Sequence, residues 1–394
     1  MCEEPPHCNH FVVRKKRFCR MSVKPGDRFC GEHQPAGATN DDKIRIVCPL
    51  DPKHTCYAHN LRKHLKICNA RPGAAVAYIQ QGVNLGDAPE DHKSLSEFST
   101  SEIVTVIGRI NKIFEEFLSD QVTGNFRGHS VVEAELAKPE YGDKSKKHLK
   151  QASAILGLLQ ECDLIKPETC FIEFGAGRGL LSYWLAQACP QGTFLLIERS
   201  SPKHKRDNKL EKSEKVKRIR ADIADLVLDK LDAVSGSASI VGVTKHLCGD
   251  ATDLALRCLL NVSSVKVGGL TMTFCCHHRC RWGAYVGKDF FNRVGLTKPD
   301  FEMMCGMSSW ATCGTGLSRE KNQIGGTVEG NERDKEIGVT RSQKEELGRR
   351  AKALLNWGRL QFLEGLGFEC RLHYYVEADV SLENVCIVAK NKTS

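Results

Sequence analysis

No apolar run in this 394-residue chain approaches the ~18 consecutive residues that a membrane-spanning helix needs. The N-terminus, Met1-Cys-Glu-Glu-Pro-Pro6, has no basic segment leading into an apolar one, so no secretory leader is expected. An even set of cysteines is missing as well: there are 19, several of them at the ends of apolar, strand-like runs. That argues against a disulfide framework or a disulfide-linked partner, and for a reducing intracellular compartment, the nucleus, the cytoplasm or both. Acidic charge is also in deficit. The net charge of +9 favours a polyanionic partner, although many solvated surfaces are equally basic.

Core-forming residues are scarce only over residues 1–70. Seven cysteines (positions 2, 8, 19, 30, 48, 56 and 68) and five histidines (7, 10, 33, 54 and 59) precede or surround His64 there. Over the whole chain a hydrophobic content of 41% is enough for one large domain. The chain divides into a first small module at 1–40, a second at 45–71, a linker and helical region at 72–150, and an α/β domain at 151–394. Within 72–150, Ile103, Val106, Ile107, Ile110, Ile113, Phe114 and Phe117 recur at helical spacing. The Gly-, Glu-, Lys- and Asn-rich stretch 314–340 is expected to be a mobile insertion.

Short apolar runs at Cys170–Phe174, Phe194–Glu198, Ser239–Thr244 and Gly269–Cys275 alternate with helical stretches such as Leu180–Ala188 and Asp253–Leu260. That order predicts a parallel α/β sheet. Ser342-Gln-Lys-Glu345 reads as a capping box opening a long helix that ends at Gly365 or Gly367. Two closing strands, Phe368–Val376 and Asn384–Ala389, then complete the sheet.

Zinc takes four thiolate or imidazole ligands in a tetrahedron. Cys48-x5-His54-x9-His64-x3-Cys68 offers such a set, with His64 and Cys68 one helical turn apart. Cys56 and His59 are the spare alternatives. Cys8-x10-Cys19-x10-Cys30-x2-His33 offers a second set, with His7 or His10 as competing ligands. Exposed histidines and buried thiols would be the plain alternative, but there is too little apolar mass here to bury them. The intervening Arg14, Lys15, Lys16, Arg17, Phe18 and Arg20 are suited to phosphates and to stacking on a base.

Phe171-Ile-Glu-Phe-Gly-Ala-Gly-Arg-Gly179 follows a strand and opens a helix. Its glycines, Gly175, Gly177 and Gly179, lack the Gly-x-Gly-x-x-Gly spacing of dinucleotide folds, since position 180 is leucine. The pattern is that of an S-adenosylmethionine loop. Glu173 would reach the amino-acid portion of the donor, Glu198 the ribose hydroxyls, and Asp222 the adenine amino group. The stretch 199–220 carries ten Lys/Arg against three acids, a solvated face or a phosphate contact.

Three segments should meet near the methyl group: Lys245-His-Leu-Cys-Gly-Asp250, Cys275-Cys-His-His-Arg-Cys280 and Ser308-Ser-Trp-Ala-Thr-Cys313. The second could hold a third metal. Cys248 or Cys276 could act as the nucleophile of a base methyltransferase, and a non-catalytic RNA-binding adaptor is the remaining rival. For transfer to a ribose hydroxyl, Lys245 or His246 would be general base or orienter, and His277 or His278 would position the ribose. Arg279 and Arg281 would hold phosphate.

Taken together, these motifs resemble the eukaryotic tRNA 2′-O-methyltransferases that modify nucleotide 4 of the acceptor stem. The matching text is Lys16-Arg-Phe-Cys-Arg-Met21, Arg28-Phe-Cys-Gly-Glu-His33, Cys48-Pro-Leu-Asp-Pro-Lys-His54, Phe174-Gly-Ala-Gly177, Lys245-His-Leu-Cys-Gly249, Cys275-Cys-His-His-Arg-Cys280 and Ser308-Ser-Trp-Ala-Thr-Cys-Gly314. The resemblance implies a Rossmann-like class I methyltransferase sheet behind two small N-terminal zinc fingers. It also implies two zinc ions, held by Cys8, Cys19, Cys30 and His33 and by Cys48, His54, His64 and Cys68. The implied reaction is S-adenosylmethionine-dependent methylation of a tRNA ribose. The second finger also resembles one in a spliceosomal protein, so that finger alone implies RNA rather than tRNA. The Lys-Asp-Lys-Glu arrangement of several other ribose methyltransferases is not evident.

Overall fold

The computed structural model describes residues 7–12, 17–23, 26–30, 33, 44–68, 76–88, 90–202, 205–210, 214–313 and 336–393. The chain forms two compact units, Met1–Val76 and Ala77–Ser394.

In the first unit, β1 (Phe11–Val12) pairs antiparallel with β2 (Arg17–Phe18). β3 (Arg45–Cys48) pairs antiparallel with β4 (Asp51–Tyr57), and α1 (Leu61–Ile67) follows. Among the described residues, the buried cluster of the first ribbon is Cys8, Val23 and Cys30. Strands of two residues over so small a core cannot outweigh chain entropy unaided, so the organising groups must be the cysteines and histidines.

The second unit begins with a segment tied down by Asn84, whose side-chain amide donates to the Ile223 and Leu226 carbonyls. α2 (Thr100–Phe117) starts at a capping box between Ser99 and Glu102 and buries Ile103, Val106, Ile110 and Ile113. β5 (Val122–Gly124), α3 (Ser130–Leu136) and α4 (Asp143–Glu161) follow. The sheet core is β6 (Thr169–Phe174), α5 (Leu180–Ala188), β7 (Thr193–Ile197), β8 (Val216–Ile219), α6 (Asp232–Ser235), β9 (Ser239–Cys248), α7 (Ala251–Leu260) and β10 (Lys266–Cys275). Then come α8 (Lys288–Arg293), α9 (Lys298–Met307), α10 (Trp310–Cys313), α11 (Arg341–Gly365), β11 (Phe368–Tyr374) and β12 (Val385–Asn391).

The eight strands lie in the order β5-β11-β12-β10-β9-β6-β7-β8. β8, β7, β6, β9 and β10 run parallel, and β12 lies antiparallel between β10 and β11. The expected class I methyltransferase sheet with a reversed last strand is therefore the fold found, with β5 added beyond β11. β6 is buried along its whole length, which is why its sequence is a continuous apolar run. The chain leaves β6 toward β7 on one side and returns through β9 on the other. The switch point, where ligands bind in open α/β sheets, lies at the carboxyl ends of these two strands.

Several expectations change. α11 is capped by Thr340 with Gln343, three residues apart, and not by Ser342 with Glu345. β9 runs on to Cys248, so Lys245 to Cys248 belong to a strand and not to the loop after it. The boundary drawn at residue 151 passes through α4, and α2 and β5 are integral to the second unit. Residues 314–335 of the expected mobile insertion lie outside the described residues; 336–340 lead into α11.

Candidate active site and metal centres

The second zinc set forms a closed cluster. Cys48 Sγ and Cys68 Sγ are 3.7 Å apart, His54 Nε2 and His64 Nε2 3.2 Å, and the mixed pairs 3.2 and 3.4 Å. Zinc bonds of ~2.3 Å to sulfur and ~2.0–2.1 Å to nitrogen set tetrahedral edges of about this size, so the donors fit the ion. His54 Nδ1 faces Asp51 Oδ2 at 3.4 Å, an arrangement that orients the imidazole and leaves Nε2 for metal. The first set is equally compact: Cys8 Sγ to His33 Nδ1 is 3.5 Å, Cys30 Sγ to His33 Nδ1 3.3 Å, and Cys19 Sγ to Cys30 Sγ 4.0 Å. Cys56 and His59 are outside the cluster; His59 is exposed and bonded to Asn60.

At the switch point, Gly175, Gly177 and Gly179 take φ of 67°, 50° and 70°, a region in which side chains are strained. A Cβ at Gly175 would lie 2.7 Å from Leu247 Cδ1, and one at Gly179 2.5 Å from Asp207 Oδ1. One at Gly177 would instead meet only the Gly175 carbonyl oxygen, at 4.0 Å. Arg218 holds the loop from beneath, donating to the Gly177 carbonyl and forming a two-point pair with Asp207 at 2.7 and 3.0 Å.

Two clefts meet at Gly175. One, of about 630 Å³, is lined by Ile197, Glu198, Asp222, Ile223, Leu247 and Leu254, together with His246, Cys248 and Arg279. Apolar walls with two acids at strand ends suit a nucleoside. Glu198 accepts from the Gly177 N–H at 2.9 Å and from both the backbone and the hydroxyl of Ser200 at 2.8 Å. These bonds hold its carboxyl below its ordinary value despite burial. Asp222 accepts from the Ala224 N–H and pairs with Arg199.

The other cleft, of about 740 Å³, is lined by Glu173, Lys144, His148, Arg178, Arg206 and Lys245 among others. Its cations are suited to phosphate. Glu173 is buried, and the backbone and hydroxyl of Ser182 both donate to its Oε2. Burial nonetheless pushes its carboxyl up to about 7. Lys245 Nζ stands 3.2 Å from both His148 Nδ1 and Gln151 Oε1. Burial draws its ammonium down from the ordinary lysine value, while Glu173 works in the opposite direction.

Lys245 and His246 line different clefts, as neighbours on a strand do, and the strand is irregular where they sit. Thr244 pairs with Met272 and Leu247 with Phe274, so β9 carries one extra residue there. His246 takes φ of 60° in this bulge, and its N–H is satisfied by Thr273 Oγ1 at 2.8 Å. Burial pushes His246 down to about 4, so it is neutral at ordinary pH.

The remaining expected residues are dispersed. His277 is buried, with Nε2 on Asn356 Oδ1 at 2.9 Å, and burial holds it well below its ordinary value. It lines neither cleft, and neither does exposed His278. The Ser308–Cys313 segment also stays away from both clefts. Ser308, Ser309 and Thr312 bond back to backbone carbonyls of residues 305, 306 and 309. Arg281 offers its backbone N–H to Asp250. The basic run is partly consumed internally: Arg206 stacks on Tyr183 and pairs with Glu135, while exposed Lys209 and Lys217 face solvent. Sequence reasoning missed His148 and Gln151, and read Arg206 only as one of the basic run. The only available signal was the polar punctuation of the α4 face that carries His148 and Gln151.

With this geometry in hand, comparison with known proteins is specific. The family described as "Methyltransferase TRM13" matches residues 150–390. "CCCH zinc finger in TRM13 protein" matches 6–34, and "U11-48K-like CHHC zinc finger" matches 45–69. The chain is 35% identical to the mouse protein named tRNA:m(4)X modification enzyme TRM13 homolog, over 97% of this chain and 94% of that one. The human protein of the same name is also 35% identical, with the same coverage. The TRM13 protein of the yeast Scheffersomyces stipitis is 31% identical over 95% of this chain and 98% of its own length.

Proposed function

The chain belongs to the TRM13 methyltransferase family, and from that premise we propose that it transfers a methyl group from S-adenosylmethionine to the ribose 2′-hydroxyl of nucleotide 4 in the tRNA acceptor stem. The observation that carries this reading is the pair of clefts joined at Gly175, one built for a nucleoside and one cationic. The relatives' names, which describe tRNA modification enzymes, support tRNA as the substrate.

Glu198 and Asp222 would hold the ribose and adenine of the donor, and Glu173 with the glycine loop its amino-acid end. Bound there, the donor supplies an electrophilic methyl sulfonium. The chain's own task is to bring a ribose hydroxyl into line and to manage its proton. Lys245 is the residue for this. It lies in the cationic cleft, its burial favours the neutral amine, and His148 and Gln151 fix its position. Lys144 and Arg178 would hold the flanking phosphates, and positioning supplies much of the remaining acceleration. His246, on the donor side and neutral, would serve the donor cleft. His277 and His278 take no part in this scheme.

The two fingers would each bind one zinc ion and add RNA contacts. Among the described residues, no helix is long and apolar enough to cross a membrane. Action on tRNA would place the protein in the nucleus or cytoplasm.

The test is transfer of labelled methyl groups to tRNA, followed by digestion to nucleosides. The reading expects label in 2′-O-methylated nucleosides; label in a methylated base would favour the cysteine-dependent alternative.

A further inference from the structure

The carboxyl ends of β9 and β10 bring three thiols together, and the proposed methyl transfer uses none of them. Cys248 Sγ lies 2.9 Å from Cys275 Sγ and 3.5 Å from Cys276 Sγ. Cys248 and Cys275 are register partners on neighbouring parallel strands. Strands ~4.8 Å apart place such partners within the ~4.4–6.8 Å Cα separation that a disulfide spans. Cys276 takes φ of 52°. Consecutive residues of an extended strand point to opposite faces, and this left-handed turn instead keeps both thiols beside Cys248. Such a conformation costs ~1–3 kcal/mol and persists where the surroundings enforce it.

This cluster differs from the two zinc centres. Their cysteine pairs stand 3.7 and 4.0 Å apart, near the ~3.8 Å that two ~2.3 Å zinc–sulfur bonds impose. The Cys248–Cys275 pair is nearly 1 Å closer at 2.9 Å, and among the described residues no histidine or carboxylate completes the group.

We propose that Cys248 and Cys275 form a thiol–disulfide site, oxidised by a peroxide and reopened by a thiol, whose disulfide state reshapes the wall of the methyl-donor cleft. The Cys248 thiolate attacks one peroxide oxygen, the O–O bond breaks, and the hydroxide released takes up a proton to leave as water. Cys248 is then a sulfenic acid. The Cys275 sulfur attacks the Cys248 sulfur, the S–O bond breaks, and a second water carries away the Cys275 proton. Two thiols thus give two electrons to one hydrogen peroxide, yielding one disulfide and two waters. Cys248 is partly exposed, and its contact with Cys275 lowers its thiol below the ordinary cysteine value, which favours the attacking thiolate.

The consequence for the cleft rests on the donor-site reading above. Cys248 is part of the cleft wall, and the adjoining Leu247 packs on the glycine loop so tightly that a Cβ at Gly175 would lie 2.7 Å from its Cδ1. Drawing Cys248 onto Cys275 moves that wall.

The experiment uses the full, zinc-loaded, reduced chain. It is treated with hydrogen peroxide, its free thiols are blocked, and its peptides are mapped, while S-adenosylmethionine affinity is measured by calorimetry. The expected result is a Cys248–Cys275 cross-link and at least a tenfold loss of donor affinity, both reversed by dithiothreitol. Cys276→Ser should still cross-link, and Cys275→Ser should keep its affinity through the treatment. Linkage to Cys276, absence of a cross-link, unchanged affinity in cross-linked protein, or a third zinc ion shielding these thiols would each overturn the proposal. Reduced protein that binds no donor would overturn the cleft reading instead, and the peptide map would still decide whether the disulfide forms.

Discussion

Glu173 is the residue at which burial and chemistry pull hardest against each other. Its folded-state value is raised to about 7, so the folded chain holds a proton that the unfolded chain has already lost. Its contribution to stability is therefore present at low pH and is lost as pH rises from the ordinary glutamate range through about 7. Glu173→Gln should flatten that decline in urea-unfolding free energy by up to a few kcal/mol, at about 1.4 kcal/mol per pKa unit. It should also weaken donor binding. A decline identical to that of the parent would show that Glu173 is not the group titrating. Gly177→Val would add a side chain at φ of 50° in the open cleft, abolishing donor binding while the fold survives; unimpaired binding by calorimetry would misplace the pocket. Lys245→Ala should lower turnover at least tenfold with donor affinity nearly intact, since a positioned base is worth ~10²–10⁴-fold. Turnover at the parent's rate would move the base elsewhere. At this scale the placement of Glu173, Glu198 and Asp222 in the clefts was legible because strand ends are visible in the sequence. His277 was misread because nothing in Cys275-Cys-His-His shows which imidazole is buried against Asn356.

Among the elements, the parallel strands and α5 could be placed from apolar runs and glycine punctuation, since a strand buried on both faces carries its own signature. The β9 bulge could not, because it arises from a pairing mismatch with β10 that lies 27 residues away along the chain at Cys248 and Cys275. Nor could the clamp between α7 and α11. Arg359 and Asp253 form a two-point ion pair at 2.7 and 3.1 Å with side chains 1% and 0% exposed. Asp253 also receives the Val286 N–H, so the pair fixes the segment after β10. An arginine and an aspartate 106 residues apart read as solvated charges until the fold brings them together. Asp253→Ala leaves a buried guanidinium unpaired and should cost ~3–5 kcal/mol in urea unfolding; a loss below about 1 kcal/mol would mean that the pair is solvated in solution.

For the molecule as a whole, the two units should respond to different agents. Chelation should unfold Met1–Val76, whose donors fit zinc and whose core is minimal, while Ala77–Ser394 keeps its own transition. Elemental analysis should give two zinc ions per chain, and one or none would count against one or both fingers. Binding of tRNA should weaken steeply with salt through counterion release. Lys209→Ala with Lys217→Ala should flatten that slope, because these side chains are exposed, whereas Arg206 and Arg218 are committed to protein contacts. An unchanged slope would mean that this face does not meet RNA.

The central claim concerns which atom receives the methyl group, and alkaline hydrolysis reports it directly. Cleavage of an RNA backbone by alkali needs a free 2′-hydroxyl, so a methylated ribose leaves a gap in the ladder. Acceptor-stem tRNA incubated with the protein and S-adenosylmethionine should show protection at the bond following nucleotide 4 and nowhere else, and none with Gly177→Val. A complete ladder from tRNA that has nonetheless gained a methyl group would place the modification on a base and contradict the account.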